Sequence, residues 1–122
     1  MQGGSLQDDW ARPVVHWEIV ALDPDLLRAF YRQLFNWEIG NGPIMEIAPG
    51  IGGPEPGPAG HIRPGDRSGV TLYVQVRDLR ESLLKATELG GTVVAEPFVL
   101  PGQPTLAAIN DPEGNLVMLV QQ

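Results

Sequence analysis

The sequence predicts an α+β fold made of two similar halves, each containing a strand, a helix and further strands. The first observation is a repeat: residues 16–23 and 71–78 match at an offset of 55 residues, with Asp23 against Asp78. The second is that each copy runs from an alternating strand into a helix start. Two copies of so long a period indicate a duplicated half-domain, because a solenoid needs more repeats.

The length of the chain bounds its organisation. It has 122 residues, which predicts one domain. We expect a loose tail over residues 1–12 and a single domain over residues 13–122. Within the domain, the two halves cover about 13–54 and 70–122, and a Gly- and Pro-rich linker covers 49–69.

The composition argues against several kinds of partner and site. The formal net charge is -7, which disfavours nucleic acid and anionic membranes, since clustered Lys and Arg lead binding to both. No apolar stretch approaches the roughly 20 residues that span a bilayer, and no signal peptide is visible. The absence of cysteine excludes disulfides and thiolate ligands, and it favours a cytoplasmic location.

The first half begins with a strand over residues 14–22. Its alternation places Trp17 and Ile19 on one face and His16 and Glu18 on the other. We expect the Trp17 face to pack on a helix. The other face should look into a wetter space, because burial of an unpaired carboxylate costs several kcal/mol.

A helix follows this strand. Asp23 is suited to cap it, and Pro24 is suited to its first position. The apolar spacing continues to about Asn36, a residue that tolerates the left-handed conformation common at helix ends. We predict short strands at residues 37–40 and 43–48.

The second half repeats this plan. Residues 70–76 alternate, with Thr71, Tyr73 and Gln75 on one face. Asp78 caps the second helix in a capping-box pattern. Further strands are predicted at residues 92–95, 105–110 and 116–121, the last of them after a turn at 111–115.

The segment between the halves is the least regular part of the sequence. Residues 49–69 are dense in Gly and Pro, and the favoured interpretation is a linker, with a lid over a site as the alternative. A short strand is possible at residues 51–54. His61 is predicted to be solvated, and Arg63 and Arg67 would meet an anionic ligand only if the segment folds over a site.

Four short motifs in order resemble a known family. They are FYRQLFNW at 30–37, YVQVRD at 73–78, LGG at 89–91 and DPEGN at 111–115. Together with the internal repeat, they make the chain similar to the vicinal oxygen chelate superfamily, which includes glyoxalase I, the bleomycin-binding resistance proteins and the extradiol dioxygenases. The resemblance implies two βαβββ modules in a cup-shaped, mostly antiparallel curved sheet with helices outside. It also implies a ligand site in the cup and a homodimer.

The same resemblance implies positions for metal ligands in metal-dependent members. One falls on His16, its repeat partner falls on Thr71, and the position in the last strand falls on Met118. The fourth is not placed, and the nearest carboxylates are Glu46 and Glu55. Since a hydroxyl and a thioether are poor ligands for such metals and one imidazole is not enough, we predict no metal and no cofactor. The alternative is a different site made by His16, Glu18 and a carboxylate of residues 49–69.

The leading functional hypothesis is a protein that binds a small organic ligand in the cup without metal. The acidic net charge would suit a cationic ligand. Mixed polar and apolar walls are what such a site needs. The predicted ligand-binding residues are His16, Glu18, Thr71, Tyr73, Gln75, Leu116 and Met118.

Two alternatives stay open. The first is a metal-independent isomerase or lyase that acts on a carbonyl compound, with His16 and Glu18 as the catalytic acid–base pair. A shared hydrogen bond would raise the pKa of the imidazole, and desolvation would raise that of the carboxylate. The second is an accessory domain that contacts a protein through Trp10 and the Gly- and Pro-rich segment.

Overall fold

The computed structural model describes residues 10–49 and 57–122, and these contain two helices and seven strands. The helices are α1 (Pro24–Phe35) and α2 (Leu79–Glu88). The strands are β1 (Val14–Ala21), β2 (Met45–Ile47), β3 (Gly60–Pro64), β4 (Gly69–Val76), β5 (Thr92–Val99), β6 (Thr105–Asn110) and β7 (Leu116–Gln121). The predicted α+β class is confirmed. Neither helix is long and apolar enough to cross a membrane.

The strands form one open sheet in the order β2-β3-β1-β4-β7-β6-β5. The two opening strands, β1 and β4, are antiparallel neighbours. Each is flanked on its other side by the last strand of its own half, and these two pairings, β1 with β3 and β4 with β7, are parallel. The sheet is therefore mixed, and the prediction of a mostly antiparallel sheet is wrong, because each half closes by returning a strand alongside its first.

Both helices begin where the sequence predicts. The side chain of Asp23 accepts a hydrogen bond from the backbone N–H of Leu26 at 3.1 Å, and Asp78 accepts one from Glu81 at 3.1 Å. These caps satisfy N–H groups that have no partner within the helix. Asn36 ends α1 with a φ of 58°, the left-handed conformation expected there.

Each helix packs over the strands of its own half. The core under α1 consists of the buried residues Ile19, Ala21, Ile39, Met45, Ile47 and Ile62. Trp17, on the helix-facing side of β1, packs against this core, as predicted. The core under α2 consists of Val76, Leu79, Leu83, Ala107 and Leu119. Burial of these side chains leaves the opposite face of the sheet free to build a site.

The predicted linker contains a strand. Gly60–Pro64 forms β3, which lies between β1 and β2 inside the sheet, so this part of 49–69 is not a connection. Gly60 is required there, because a Cβ atom would lie 2.4 Å from the indole of Trp17. The predicted strand at 37–40 is reduced to a single bridge between Ile39 and Ile47. The possible strand at 51–54 lies outside the described residues.

Substitution of Gly91 by alanine is expected to lower the free energy of unfolding by about 1–3 kcal/mol. A Cβ atom there would lie 2.7 Å from the carbonyl oxygen of Asn110 and 3.2 Å from that of Ala86. Both are backbone atoms, so relief requires α2 and β6 to separate. Urea denaturation measures the change. Gly40→Ala is the control, because its nearest atoms would be 3.7 Å away, and equal losses in the two variants would contradict the steric explanation.

Candidate functional site

Strand register places four polar side chains in a row across the sheet. Glu46 on β2 lies opposite His61 on β3, and His61 lies beside Glu18 on β1. Glu18 in turn lies opposite Thr71 on β4. Because residues paired across strands point to the same face, the row brings residues from both halves to the face that the helices leave uncovered.

A second row runs parallel to the first, further along the strands. His16 on β1 lies opposite Tyr73 on β4, which pairs with Met118 on β7 and then with Ala108 on β6. His16 and His61 stack, with ring centroids 4.9 Å apart, and Tyr73 meets His16 edge-on at 5.1 Å. The polar side chains of His16, Glu18, His61 and Tyr73 are joined by these ring contacts and by hydrogen bonds into a compact polar cluster.

Glu18 is the centre of this cluster. It is only 3% exposed, and one carboxylate oxygen, Oε1, accepts three hydrogen bonds. The donors are Nε2 of His61 at 2.9 Å, Nε of Arg63 at 2.7 Å and the hydroxyl of Tyr73 at 3.2 Å. Two of these donors are on β3 and one is on β4, so the carboxylate joins three strands. A buried carboxylate is tolerated when it is paired in this way.

These donors decide the charge of Glu18. Burial by itself would raise the pKa of the carboxyl, but the hydrogen bonds from His61 and Arg63 and the positive charge of Arg63 lower it to about 2. Desolvation therefore acts in the expected direction, but the expected net rise of this pKa is wrong because the donors outweigh it. Glu18 is an anion at neutral pH, and it acts as an acceptor for its neighbours rather than as a proton donor.

The two histidines form a hydrogen-bonded chain that ends on Glu18. Nε2 of His16 lies 2.7 Å from Nδ1 of His61. Because the Glu18 anion can only accept, Nε2 of His61 carries the proton, and a neutral His61 then accepts at Nδ1 from the Nε2–H of His16. A neutral His16 is left with a lone pair on Nδ1. His16 and Glu18 share no direct hydrogen bond, contrary to expectation, because His61 lies between them.

Burial also governs the other titrating groups of the cluster. The pKa of His16 is lowered, first because burial disfavours the imidazolium and second because of His61; Glu18 and Glu46 act in the opposite direction without compensating. The carboxylate acts in the expected direction, but the expected net rise of this pKa is wrong because burial outweighs it. Burial and the nearby Glu18 anion raise the pKa of Tyr73 to about 12. At neutral pH, His16 is therefore uncharged and Tyr73 keeps its proton.

The cluster lines one end of a cavity of about 550 Å³. Of the residues predicted to bind ligand, five line it: His16, Glu18, Tyr73, Leu116 and Met118. Thr71 is buried and Gln75 is half-buried, and neither is part of the lining. The rest of the wall is mainly apolar and comes largely from β5, β6 and β7 and the loop between β5 and β6. It consists of Val15, Ile44, Phe98, Leu100, Pro104, Leu106 and Val120, with the polar residues Glu46, His61, Arg63 and Gln103.

His61 and Arg63 were missed as site residues. His61 was predicted to be solvated, but its side chain is only 12% exposed and both of its ring nitrogens are hydrogen-bonded. The signal was the short alternation at 60–64, in which Gly60 and Ile62 face the core and His61 and Arg63 face the cavity. Flanking Gly and Pro residues concealed this pattern.

Register also identifies the unplaced fourth position of the implied metal site. Met118 pairs with Tyr73 in the second half, and His61 pairs in the same way with Glu18 in the first. The four positions are therefore His16, His61, Thr71 and Met118.

This donor set does not fit a divalent metal. The two imidazoles are hydrogen-bonded to each other, and the hydroxyl and thioether are poor ligands for Zn²⁺, Fe²⁺ or Mn²⁺. Across residues 10–49 and 57–122, no three His, Asp or Glu side chains are grouped to hold a metal ion. Of the two carboxylates in residues 49–69, Glu55 and Asp66, Glu55 lies outside the described residues.

Acidification between pH 5 and pH 2 is expected to remove about 2 kcal/mol of stability through Glu18, allowing for solvent screening of the partly exposed Arg63. The pKa is about 2 in the folded protein and 4.5 ordinarily, so the unfolded chain binds more protons in this window. The contribution is complete above pH 4.5 and is lost as the pH falls towards 2. The lowered pKa of His16 adds a loss that begins near pH 6.5. Urea denaturation across this pH range measures the loss of stability. An equally steep dependence of stability on pH in Glu18→Gln would refute the assignment of the loss to Glu18.

Comparisons with known proteins agree on the family. A family model described as a glyoxalase-like domain matches residues 14–120. A "Glyoxylase-like domain-containing protein" of Didymella fabae is 30% identical over 108 residues, which cover 80% of this chain and 84% of that protein. The motifs, the repeat and the register of the opening strands are consistent with this match.

Two solved structures share the fold at low identity. One is a glyoxalase/bleomycin resistance protein/dioxygenase superfamily member from Vibrio splendidus 12B01, with a TM-score of 0.63 and 14% identity, covering 92% of this chain and 100% of that one. The other is methylmalonyl-CoA epimerase from Mycobacterium tuberculosis, with a TM-score of 0.60 and 17% identity, covering 88% and 86%. The chain belongs to the glyoxalase-like domain family, within the vicinal oxygen chelate superfamily.

Proposed function

We propose that the chain binds a small organic molecule in the cavity and does so without the metal of its metal-dependent relatives. The observation that carries this proposal is the junction of two unlike walls in one space of about 550 Å³. One wall is apolar, with Phe98, Leu106 and Met118 among its residues. The other is the polar cluster around Glu18. A largely apolar pocket with a few convergent polar groups is the usual form of a small-molecule site.

The polar cluster is preorganised for this role. Glu18 is held by three donors, and His61 is held at both ring nitrogens. A ligand therefore meets groups whose positions are fixed before it binds, which lowers the entropy cost of binding. The donor set of His16, His61, Thr71 and Met118 supports a site that works without metal.

A fragment screen followed by two-dimensional amide NMR tests this proposal. We expect ligands that shift the resonances of β1, β3, β4 and β7, and addition of EDTA should leave both the shifts and the melting temperature unchanged. A screen whose hits shift only the resonances of residues away from the cavity would refute cavity binding. Loss of binding in EDTA that Zn²⁺ or Mn²⁺ restores would refute metal independence.

The hydrogen-bonded chain favours a second candidate, a metal-independent isomerase that moves a proton next to a carbonyl. In this candidate His16 is the catalytic base, because its Nδ1 keeps a lone pair. It takes a proton from the carbon, the C–H electron pair forms the enolate, and the proton then returns to carbon. Glu18 is not the partner base proposed from the sequence; with a pKa of about 2, it is a positioning residue that acts through His61.

Deuterium exchange tests this second candidate. Phenylacetone in D₂O is the probe, and NMR follows its acidic C–H. We expect exchange above the buffer rate with the native chain and loss of that excess in His16→Gln. Unchanged exchange in the variant would eliminate His16 as the base, and an absence of excess with the native chain would leave binding as the function.

The proposal extends to a homodimer. The outward side of α1 carries three apolar side chains at helical spacing: Leu26, Phe30 and Leu34 are 64%, 54% and 59% exposed. An apolar stripe of this kind is typical of a surface that a partner covers. Light scattering tests the state: a mass near twice 13.2 kDa supports the dimer, and a monomer across accessible concentrations refutes it.

A further inference from the structure

Glu46 is an exposed carboxylate in the lining of the cavity, and it has no assigned role. It lies on β2 opposite His61 and lines the cavity. Both ring nitrogens of His61 are already used by His16 and Glu18, so Glu46 has no place in that chain. Within residues 10–49 and 57–122, no hydrogen bond or ion pair engages its side chain. An anion left available beside a cavity attracts a cation.

His16 adds a neutral acceptor in the same space. The proton arrangement imposed by Glu18 leaves a lone pair on Nδ1 of His16, and no described residue donates to it. Glu46 and His16 both line the cavity, and each neighbours His61: Glu46 is paired with it across the strands, and His16 is hydrogen-bonded to it. The lining therefore offers two acceptors, one charged and one neutral.

The remaining charges of the lining cancel. Arg63 donates from Nε to Glu18 and from Nη1 to the backbone carbonyl of Pro64, so its charge is balanced by Glu18. With both histidines counted as neutral, the lining carries two carboxylates and one guanidinium, which sum to -1. The charge without a partner is that of Glu46.

We propose that the cavity selects an amphipathic cation, whose protonated amine is bound by the carboxylate of Glu46 and Nδ1 of His16 while its apolar body lies against the wall around Phe98, Leu106 and Met118. This inference rests on the proposed ligand-binding function and names the ligand class. An ammonium group supplies several N–H donors in one group, enough for both acceptors. The apolar body removes its own surface from water in the same step.

Three probes with one apolar body test the ligand class. Octylamine, octanol and nonanoate carry the same octyl chain and differ only in the head group, and titration calorimetry at pH 8 compares them. Since a charge-assisted hydrogen bond is stronger than a neutral one, we expect octylamine to bind about tenfold tighter than octanol, which corresponds to about 1.4 kcal/mol. Nonanoate should bind most weakly, because its carboxylate has the same charge as that of Glu46.

Glu46→Gln and Glu88→Gln form a matched pair for the same titration. Both remove one carboxylate from an exposed position, but only Glu46 lines the cavity. The preference for octylamine over octanol should fall to about twofold in Glu46→Gln and persist in Glu88→Gln. Equal effects in the two variants would mean that the preference for octylamine follows the net charge of the protein, and this result would refute the Glu46 subsite.

The outcomes separate this inference from the proposed function. Nonanoate binding in the cavity as tightly as octylamine would overturn the cation preference and leave small-molecule binding intact. Failure of all three probes, when the fragment screen finds other cavity ligands, would also overturn only the preference. Failure of the probes and of the screen together would overturn both.

Discussion

Replacement of Glu18 by alanine is expected to lower the free energy of unfolding by about 3–5 kcal/mol. The substitution removes the acceptor of three hydrogen bonds, from the largely buried His61, from Tyr73 and from the partly exposed Arg63. Glu18 is 3% exposed, so water cannot readily replace it. The loss of an anion also leaves the guanidinium of Arg63 without its counter-charge.

Chemical denaturation of the native chain and two variants measures this effect. Glu88→Ala is the control, because Glu88 is exposed at the end of α2 and should change stability by about 0.5 kcal/mol or less. Glu18→Gln keeps the shape and removes the charge, so we expect an intermediate loss. A Glu18→Ala variant as stable as the control would show that the carboxylate does not organise the cluster.

Substitution of Met118 by tryptophan is expected to weaken cavity binding by at least about tenfold. Met118 lies on β7 beside Tyr73, where the apolar wall meets the polar cluster. An indole there is larger than the methionine side chain and occupies part of the cavity that a ligand would fill. Since a buried CH₂ contributes about 0.8 kcal/mol, excluding even two such groups of a ligand costs roughly tenfold in affinity.

Leu84→Trp is the matched control for this substitution. Leu84 lies on α2, is 69% exposed and is not part of the lining, so the same ring is added away from the cavity. Calorimetric titration with a cavity ligand should give native affinity in Leu84→Trp and weakened affinity in Met118→Trp. Native affinity in both variants, with both folded by circular dichroism, would place the binding site elsewhere.

Local patterns predicted the parts of this structure that local chemistry determines. Asp23 and Asp78 were recognised as helix caps because the cap and the N–H it accepts are three residues apart. The alternation of β1 placed His16 and Glu18 on one face and Trp17 on the other, as found. The repeat identified β1 and β4 as equivalent strands, but it contained nothing about their direction relative to β3 and β7.

The features of the site that could not be predicted from the sequence depend on pairing between distant parts of the chain. Glu18 meets Arg63 and His61 across more than 40 positions of chain, and no local pattern connects them. Desolvation alone predicted a raised pKa for Glu18, and the two partners on β3 reverse it. The strand itself was hidden because Gly60 and Pro64, which normally interrupt strands, stand at its ends, where Gly60 gives room to Trp17.

The protonation of the two histidines tests the account most directly. The chain contains only two, so their imidazole nitrogens can be assigned by ¹⁵N NMR without ambiguity. At pH 8, above the ordinary range of histidine titration, we predict protonated Nε2 and unprotonated Nδ1 in both rings, and loss of this pattern in Glu18→Gln. A proton on Nδ1 of either ring in the native chain would contradict the chain of hydrogen bonds from Glu18 to the cavity.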